Sequence, residues 1–204
     1  MTVAGLLLAA GAGRRYGCPK ALVRHGGGLL VDRGLRILRD AGCTPTVVVL
    51  GAAAAEVRAA AHLDGARVVD NDDWATGMGS SLRAGLAALA GGTRSTVDSD
   101  GVVAVVVILV DQLRLTAAAI RRVAADAVPA DLVMAGYPDG PVGDRRGHPV
   151  LLGRDHWAGV AAAAIGDVGA RPYLRAHADR VRVVPCGDVA DDADQDVPEG
   201  VSGA

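Results

Sequence analysis

The sequence predicts an α/β fold: a mostly parallel open sheet with helices on both faces. Three observations carry this. Apolar runs alternate with helix-spaced segments along the chain. The runs are nearly continuous rather than alternating with polar residues, as strands buried on both faces require. The first run, Val3–Ala9, feeds directly into a glycine-rich turn.

In chain order, Val31–Asp40 has helical spacing of Val31, Leu35 and Leu38, with Gly42 just past its end. Thr46–Leu50 is a β-branched strand, Ala53–His62 a helix and Ala66–Val69 a short strand. Ser80–Ala90 is an alanine-rich helix opened by Ser-Ser and stopped by Gly91-Gly92. Thr93–Gly101 is a polar loop. Val102–Val110 is the strongest strand and is expected at the sheet centre. Thr116–Ala127 follows as a helix capped by Thr116, then Leu132–Ala135 as a strand. Tyr137–Gly147, rich in Gly, Pro, Asp and Arg, marks a long loop or hairpin outside the alternation. Arg154–Ala164, Ala170–Ala178 and Val181–Val184 read as helix, helix and strand. The acidic stretch Asp188–Glu199 is either a docked irregular segment or partly disordered.

A chain of 204 residues, half of them hydrophobic, suits one globular domain with an ample core. Phenylalanine is absent, so Val, Leu, Ile and Ala must fill that core. A net charge of −2 gives no reason to expect a nucleic-acid partner. Cys18, Cys43 and Cys186 are too scattered for a zinc site or a disulfide framework. No apolar run suits a bilayer-spanning helix, so no membrane partner is expected and a reducing cytoplasm is the default location.

In doubly wound sheets, ligands bind beyond the carboxyl ends of strands. Here the first such loop runs Ala9-Ala10-Gly11-Ala12-Gly13-Arg14-Arg15-Tyr16-Gly17-Cys18-Pro19-Lys20. Small residues let main-chain amides approach phosphate oxygens, and Arg14, Arg15 and Lys20 supply cations. Two familiar phosphate loops fail to fit. A P-loop needs Gly-Lys-Ser/Thr, whereas Pro19 precedes Lys20 and Ala21 follows it. A dinucleotide fingerprint needs Gly-x-Gly-x-x-Gly and an acid ending the second strand, but that strand ends Val49-Leu50-Gly51.

Further along, Asn71-Asp72-Asp73-Trp74-Ala75-Thr76-Gly77-Met78-Gly79-Ser80-Ser81-Leu82 is a glycine-rich turn feeding a helix amino terminus. Serine capping alone would also explain it. Asp111 follows the strongest strand, where a carboxylate suits either a divalent cation or a simple turn cap.

Leu8-Ala9-Ala10-Gly11-x-Gly13-x-Arg15-x-Gly17-x-Pro19-Lys20 resembles the NTP-transferase family that includes sugar-phosphate nucleotidyltransferases and the molybdenum cofactor cytidylyl- and guanylyltransferases. Asn71–Leu82, Asp111-Gln112, Gly147-His148-Pro149-Val150, Gly166-Asp167-x-Gly169-Ala170-Arg171 and Asp194-Gln195-Asp196-Val197-Pro198-Glu199 resemble further segments of that family, in the same order. The resemblance implies a Rossmann-like nucleotidyltransferase fold, with an NTP-binding half at about 1–115 and an acceptor-binding half at about 116–204.

It also implies site roles. Arg15, Lys20 and Asp111 would be catalytic, with Arg15 and Lys20 neutralising the β- and γ-phosphates. Leu8, Ala9, Ala10, Gly11, Gly13, Arg14, Gly79 and Ser81 would bind the nucleotide, while Trp74 packs. Gly147, His148, Asp167, Gly169, Ala170 and Arg171 would face the acceptor. Asp111 with Asp196, or Asp194, would hold Mg²⁺. Leu113 stands where the family usually has proline, which alters the rigidity of the turn but keeps the ligand.

Pro19-Lys20 is more like the cytidylyltransferase branch. The implied reaction is therefore transfer of CMP from CTP to a molybdopterin-type acceptor, with a molybdoenzyme or its chaperone as a further partner. The alternatives are GTP as donor, a sugar phosphate as acceptor, a non-catalytic carrier of the molybdenum cofactor and, least favoured, a dinucleotide-dependent oxidoreductase.

Overall fold

The computed structural model describes residues 1–14, 16–91, 101–138 and 144–191, with the backbone alone at Asp144. The expected loop Thr93–Gly101 lies outside the described residues, apart from Gly101, as does the stretch from 192 onwards.

Among the described residues nine strands form, seven of them in one sheet. β1 (Thr2–Leu8), β4 (Thr46–Leu50), β5 (Ala66–Asp70) and β6 (Val102–Leu109) are mutually parallel. β7 (Leu132–Pro138) and β9 (Val181–Pro185) pair in parallel, and β8 (Asp144–Gly153) runs antiparallel between β6 and β7. The order is β5-β4-β1-β6-β8-β7-β9, which puts β6 at the centre as its valine run predicts. β2 (Arg24–His25) and β3 (Gly28–Leu29) make a separate small hairpin.

Side chains along the strands alternate between two cores because successive Cβ atoms point to opposite faces. Leu7, Val48, Leu50, Val106 and Ile108 meet α1 (Leu30–Asp40), α2 (Ala54–Ala60) and α4 (Ala117–Val123) through Leu35, Leu38, Val57 and Ile120. Leu6, Leu8, Val47, Val49, Val105 and Val107 meet α3 (Met78–Ala90), α5 (Trp157–Ala163) and α6 (Arg171–Ala176) through Leu82, Leu86, Trp157, Val160 and Leu174. Helices thus cover both faces. Gly85 and Gly34 allow the close approach, since a Cβ there would meet Leu6 at 2.5 Å or Leu7 at 2.8 Å.

Several expectations need correction. α3 begins at Met78, before the serines, and Ser80 is not its cap: its hydroxyl bonds back to the carbonyls of Asp73 and Gly77. Thr116 does cap α4, accepting from the Ala119 amide at 3.3 Å, but the helix stops at Val123. Of the loop-or-hairpin stretch, residues 139–143 lie outside the described residues, and 137–138 and 144–147 are the ends of the antiparallel pair β7 and β8. Their register shifts between Met134 and Ala135, which bulges His148 and the cis-linked Pro149 out of the ladder.

Candidate functional site

The carboxyl ends of β1, β5 and β6 open onto one cavity of about 360 Å³. It is lined by the glycine loop from Leu8 and Ala10 to Arg14, by Lys20, by the Trp74–Met78 turn with Ser81, by Leu109–Asp111, and by Asp167.

The loop leaves β1 through Gly13, which adopts φ +61°; a Cβ there would lie 1.9 Å from the Cys18 carbonyl oxygen. Only glycine permits this turn. The Tyr16 and Gly17 amides donate to the Gly13 carbonyl, and the chain then reaches the 3₁₀ turn Lys20–Leu22. Lys20 is the sole lysine of the sequence. Its Nζ donates to Asp111 Oδ2 at 2.7 Å, and the two side chains are 15% and 17% exposed. Asp111 Oδ1 is buried and has no hydrogen-bond partner among the described residues.

Opposite this pair, Asn71 ties the end of β5 to the first turn of α3. Its Nδ2 donates to Ser80 Oγ at 2.8 Å and Ser81 Oγ at 3.0 Å, while its Oδ1 accepts from the Asp73 amide at 3.1 Å. Asp167 Oδ1 accepts from the Met78 amide at 3.2 Å, so a carboxylate already sits at the positive end of α3. Gly77, at φ +114°, makes room for it, since a Cβ would lie 2.7 Å from that oxygen.

The expected nucleotide residues Leu8, Ala10, Gly11, Gly13, Arg14 and Ser81 all line the cavity, together with Lys20 and Asp111. Ala9 and Gly79 do not. Ala9 packs into the core behind the loop, and Gly79 lets α3 lie on residues 164–166, where its Cβ would be 2.5 Å from the Ala164 carbonyl oxygen. Trp74 packs against Gly51 and lines the cavity as well.

Of the expected acceptor residues, Asp167 alone lines the cavity. His148 is half-buried. Burial pushes its imidazole down to about 4, against the pull of Asp111 and aided by Arg171, so it is neutral at physiological pH. Gly147 lies beside it on β8. Gly169 lies against Met78, and Ala170 precedes the six-residue α6, whose first residue is the exposed Arg171. Arg15, Asp194 and Asp196 lie outside the described residues.

Sequence reasoning passed over Ala12, Ala75, Gly77, Met78, Leu109 and Val110 as lining residues. Their proximity to matched positions was the available signal.

Among the described residues, no group of three or more His, Cys, Asp or Glu converges to hold a metal unaided. Asp111 Oδ1 nonetheless fits a hard divalent cation of the kind that takes one carboxylate and completes its shell with phosphate oxygens and water.

The carboxyl ends of the strands thus bring a glycine loop and a lysine–carboxylate pair to one cavity, at the edge where open α/β sheets bind ligands. The chain belongs to the MobA-like NTP transferase domain family, which matches residues 5–181.

The nicotine blue oxidoreductase of Paenarthrobacter nicotinovorans is 38% identical over 97% of this chain and 93% of its own length. The crystal structure of Rv0371c from Mycobacterium tuberculosis H37Rv is 30% identical, with a TM-score of 0.73 over 95% of this chain and 93% of that one. A manganese complex of Rv0371c matches with a TM-score of 0.71 at 28% identity, over 100% and 94% of the two chains.

Proposed function

We propose that the protein transfers a nucleotidyl group from an NTP, with CTP the favoured donor, to the terminal phosphate of a molybdopterin-type acceptor. The observation that carries this reading is the Lys20–Asp111 pair lining the cavity, with one buried carboxylate oxygen that has no partner among the described residues. An acceptor phosphate oxygen attacks the α-phosphorus, the α–β bridging bond breaks, and pyrophosphate leaves. The acceptor is already anionic, so no covalent enzyme intermediate is required.

The protein's part is positioning and charge neutralisation. The Gly11–Gly13 backbone and Arg14 border the phosphates, and Lys20 neutralises charge that builds on the leaving pyrophosphate. The sequence resemblance assigns Arg15 the same task. Trp74 and Ser81 face the nucleoside, and Asp167, which lines the same cavity, occupies the amino terminus of α3. Mg²⁺ held by Asp111 would supply further neutralisation across the triphosphate, and the manganese complex of the mycobacterial relative supports the use of a divalent cation. Pro19-Lys20 supports CTP, and the Gly147–Val150 and Gly166–Arg171 segments support a molybdopterin-type acceptor.

The relative named for nicotine blue favours a second reading, in which the same cavity binds a reduced dinucleotide and passes a hydride to a planar conjugated acceptor. One experiment separates the two. The protein is incubated with Mg²⁺, molybdopterin and each NTP while pyrophosphate is measured. In parallel it is incubated with NADH or NADPH and a quinonoid dye while nicotinamide absorbance is followed. Pyrophosphate release with CTP supports transfer; GTP-only release moves the donor assignment; dinucleotide oxidation without pyrophosphate release in any mixture replaces transfer with reduction.

A further inference from the structure

Lys20 and Asp111 sit on turns that follow different strands, and α1 touches both. The 3₁₀ turn Lys20–Leu22 packs on α1. From the same helix, Arg33 reaches the turn that follows Asp111. Its Nη1 donates to the Gln112 carbonyl at 3.1 Å, and its Nη2 donates to the carbonyls of Leu113 and, at 2.9 Å, Leu115.

The half-buried guanidinium thus spends its donors on three main-chain carbonyls of a single turn. Burial, with Arg36 nearby, lowers its pKa from the ordinary value. The turn it grips has weak internal support. The Gln112 amide reaches the Leu109 carbonyl at 3.4 Å, and the Leu115 amide the Gln112 carbonyl at 3.3 Å. The Leu113 amide donates to the Asp111 carbonyl at 3.0 Å, and Gln112 Oε1 accepts from the Leu109 amide at 3.0 Å. Leucine at 113 leaves φ free where a proline would lock it.

We propose that Arg33 is a positioning residue. It fixes the Asp111 turn to the helix that also supports the Lys20 turn, and so sets the geometry of the ammonium–carboxylate pair. Its catalytic consequence rests on the reading in which that pair acts on phosphates.

The test uses Arg33→Met in the full chain, with Arg33→Gln as a substitute should the first fail to fold. Three quantities are measured: amide hydrogen exchange, the acylation rate of Lys20 (resolved from the amino terminus by peptide mass), and pyrophosphate release. Exchange at Leu113 and Leu115 is expected to rise about tenfold, with α1 and β6 amides unchanged. Lys20 acylation is expected to rise about tenfold as its partner loosens.

With activity, kcat falls about 10- to 100-fold while KM for the NTP stays within about threefold. Unchanged Lys20 reactivity overturns the proposal, as does exchange that rises throughout the chain, the mark of a purely structural residue. If the natural sequence releases no pyrophosphate with any NTP, the proposed function fails on its own, and exchange with Lys20 reactivity still decides the role of Arg33.

Discussion

Lys20 Nζ lies 2.7 Å from Asp111 Oδ2 across a separation of 91 residues, joining the loop after the first strand to the turn after the central one. Asp111→Asn keeps the shape of the side chain and removes its charge. Transfer is expected to fall by about 10²- to 10³-fold, and because both side chains are largely buried, thermal stability should fall as well. Pyrophosphate release and a thermal melt on the same preparation check both halves.

Gly13 and Gly11 should behave differently on substitution by alanine. A Cβ at Gly13 collides with the Cys18 carbonyl and sits at positive φ, whereas one at Gly11 meets nothing within 4 Å. Gly13→Ala is expected to lose about 1–3 kcal/mol of stability and to weaken NTP binding at least tenfold, roughly. Gly11→Ala should melt with the parent. Calorimetric titration with CTP and denaturant unfolding measure the contrast; equal melting of the two variants would remove the strained-turn argument.

Asn71 is buried and serves both serines of the first α3 turn. Asn71→Ala removes the donor to both hydroxyls and the acceptor for the Asp73 amide, while Ser80 keeps its bonds to the Asp73 and Gly77 carbonyls, at a cost of about 1–3 kcal/mol. Because Ser81 lines the cavity, CTP affinity should drop along with stability. A variant that loses stability while holding its affinity would detach this network from the ligand.

How much of this was legible in the sequence depends on whether the cause is local. Thr46–Leu50 is found where its β-branched run predicts, because a strand buried on both faces is written in consecutive residues. The start of α3 was misplaced by two residues because the amide at its first position is satisfied by Asp167, 89 positions away, and no local pattern announces that. β2 and β3 were missed because two residues carry no periodicity. The Gly147–Val150 segment was recognised as a motif without being seen as part of an antiparallel strand, since pairing partners are a property of the sheet. Within the site, Lys20 and Asp111 were readable from chemical type and context. Arg33 was not, because an arginine at an ordinary helix position has no motif and its carbonyl partners are invisible until the chain folds.

His148 links stability to pH. Its folded value of about 4 lies below the ordinary 6.5, so between them the unfolded chain binds a proton that the folded chain refuses. Stability therefore falls as pH drops through that window, by at most about 3 kcal/mol and by less to the extent that solvent reaches this half-buried ring, and the loss is complete below the folded value. His148→Gln should flatten that part of the profile. Urea unfolding at steps between about pH 7 and about pH 4 reads the slope, and identical slopes in the two proteins would acquit His148.

The antiparallel placement of β8 has a consequence for synthesis of the chain. By residue 111 a nascent chain has made β1, β4, β5 and β6, with both members of the Lys20–Asp111 pair. Its strongest strand still has a bare edge, because the partner of β6 is not made until 144–153. An open valine-rich edge is a template for pairing with other chains. The first half of the protein thus emerges with both Lys20 and Asp111 but with its most adhesive surface exposed, and it depends on translation continuing through β8 before that surface is covered.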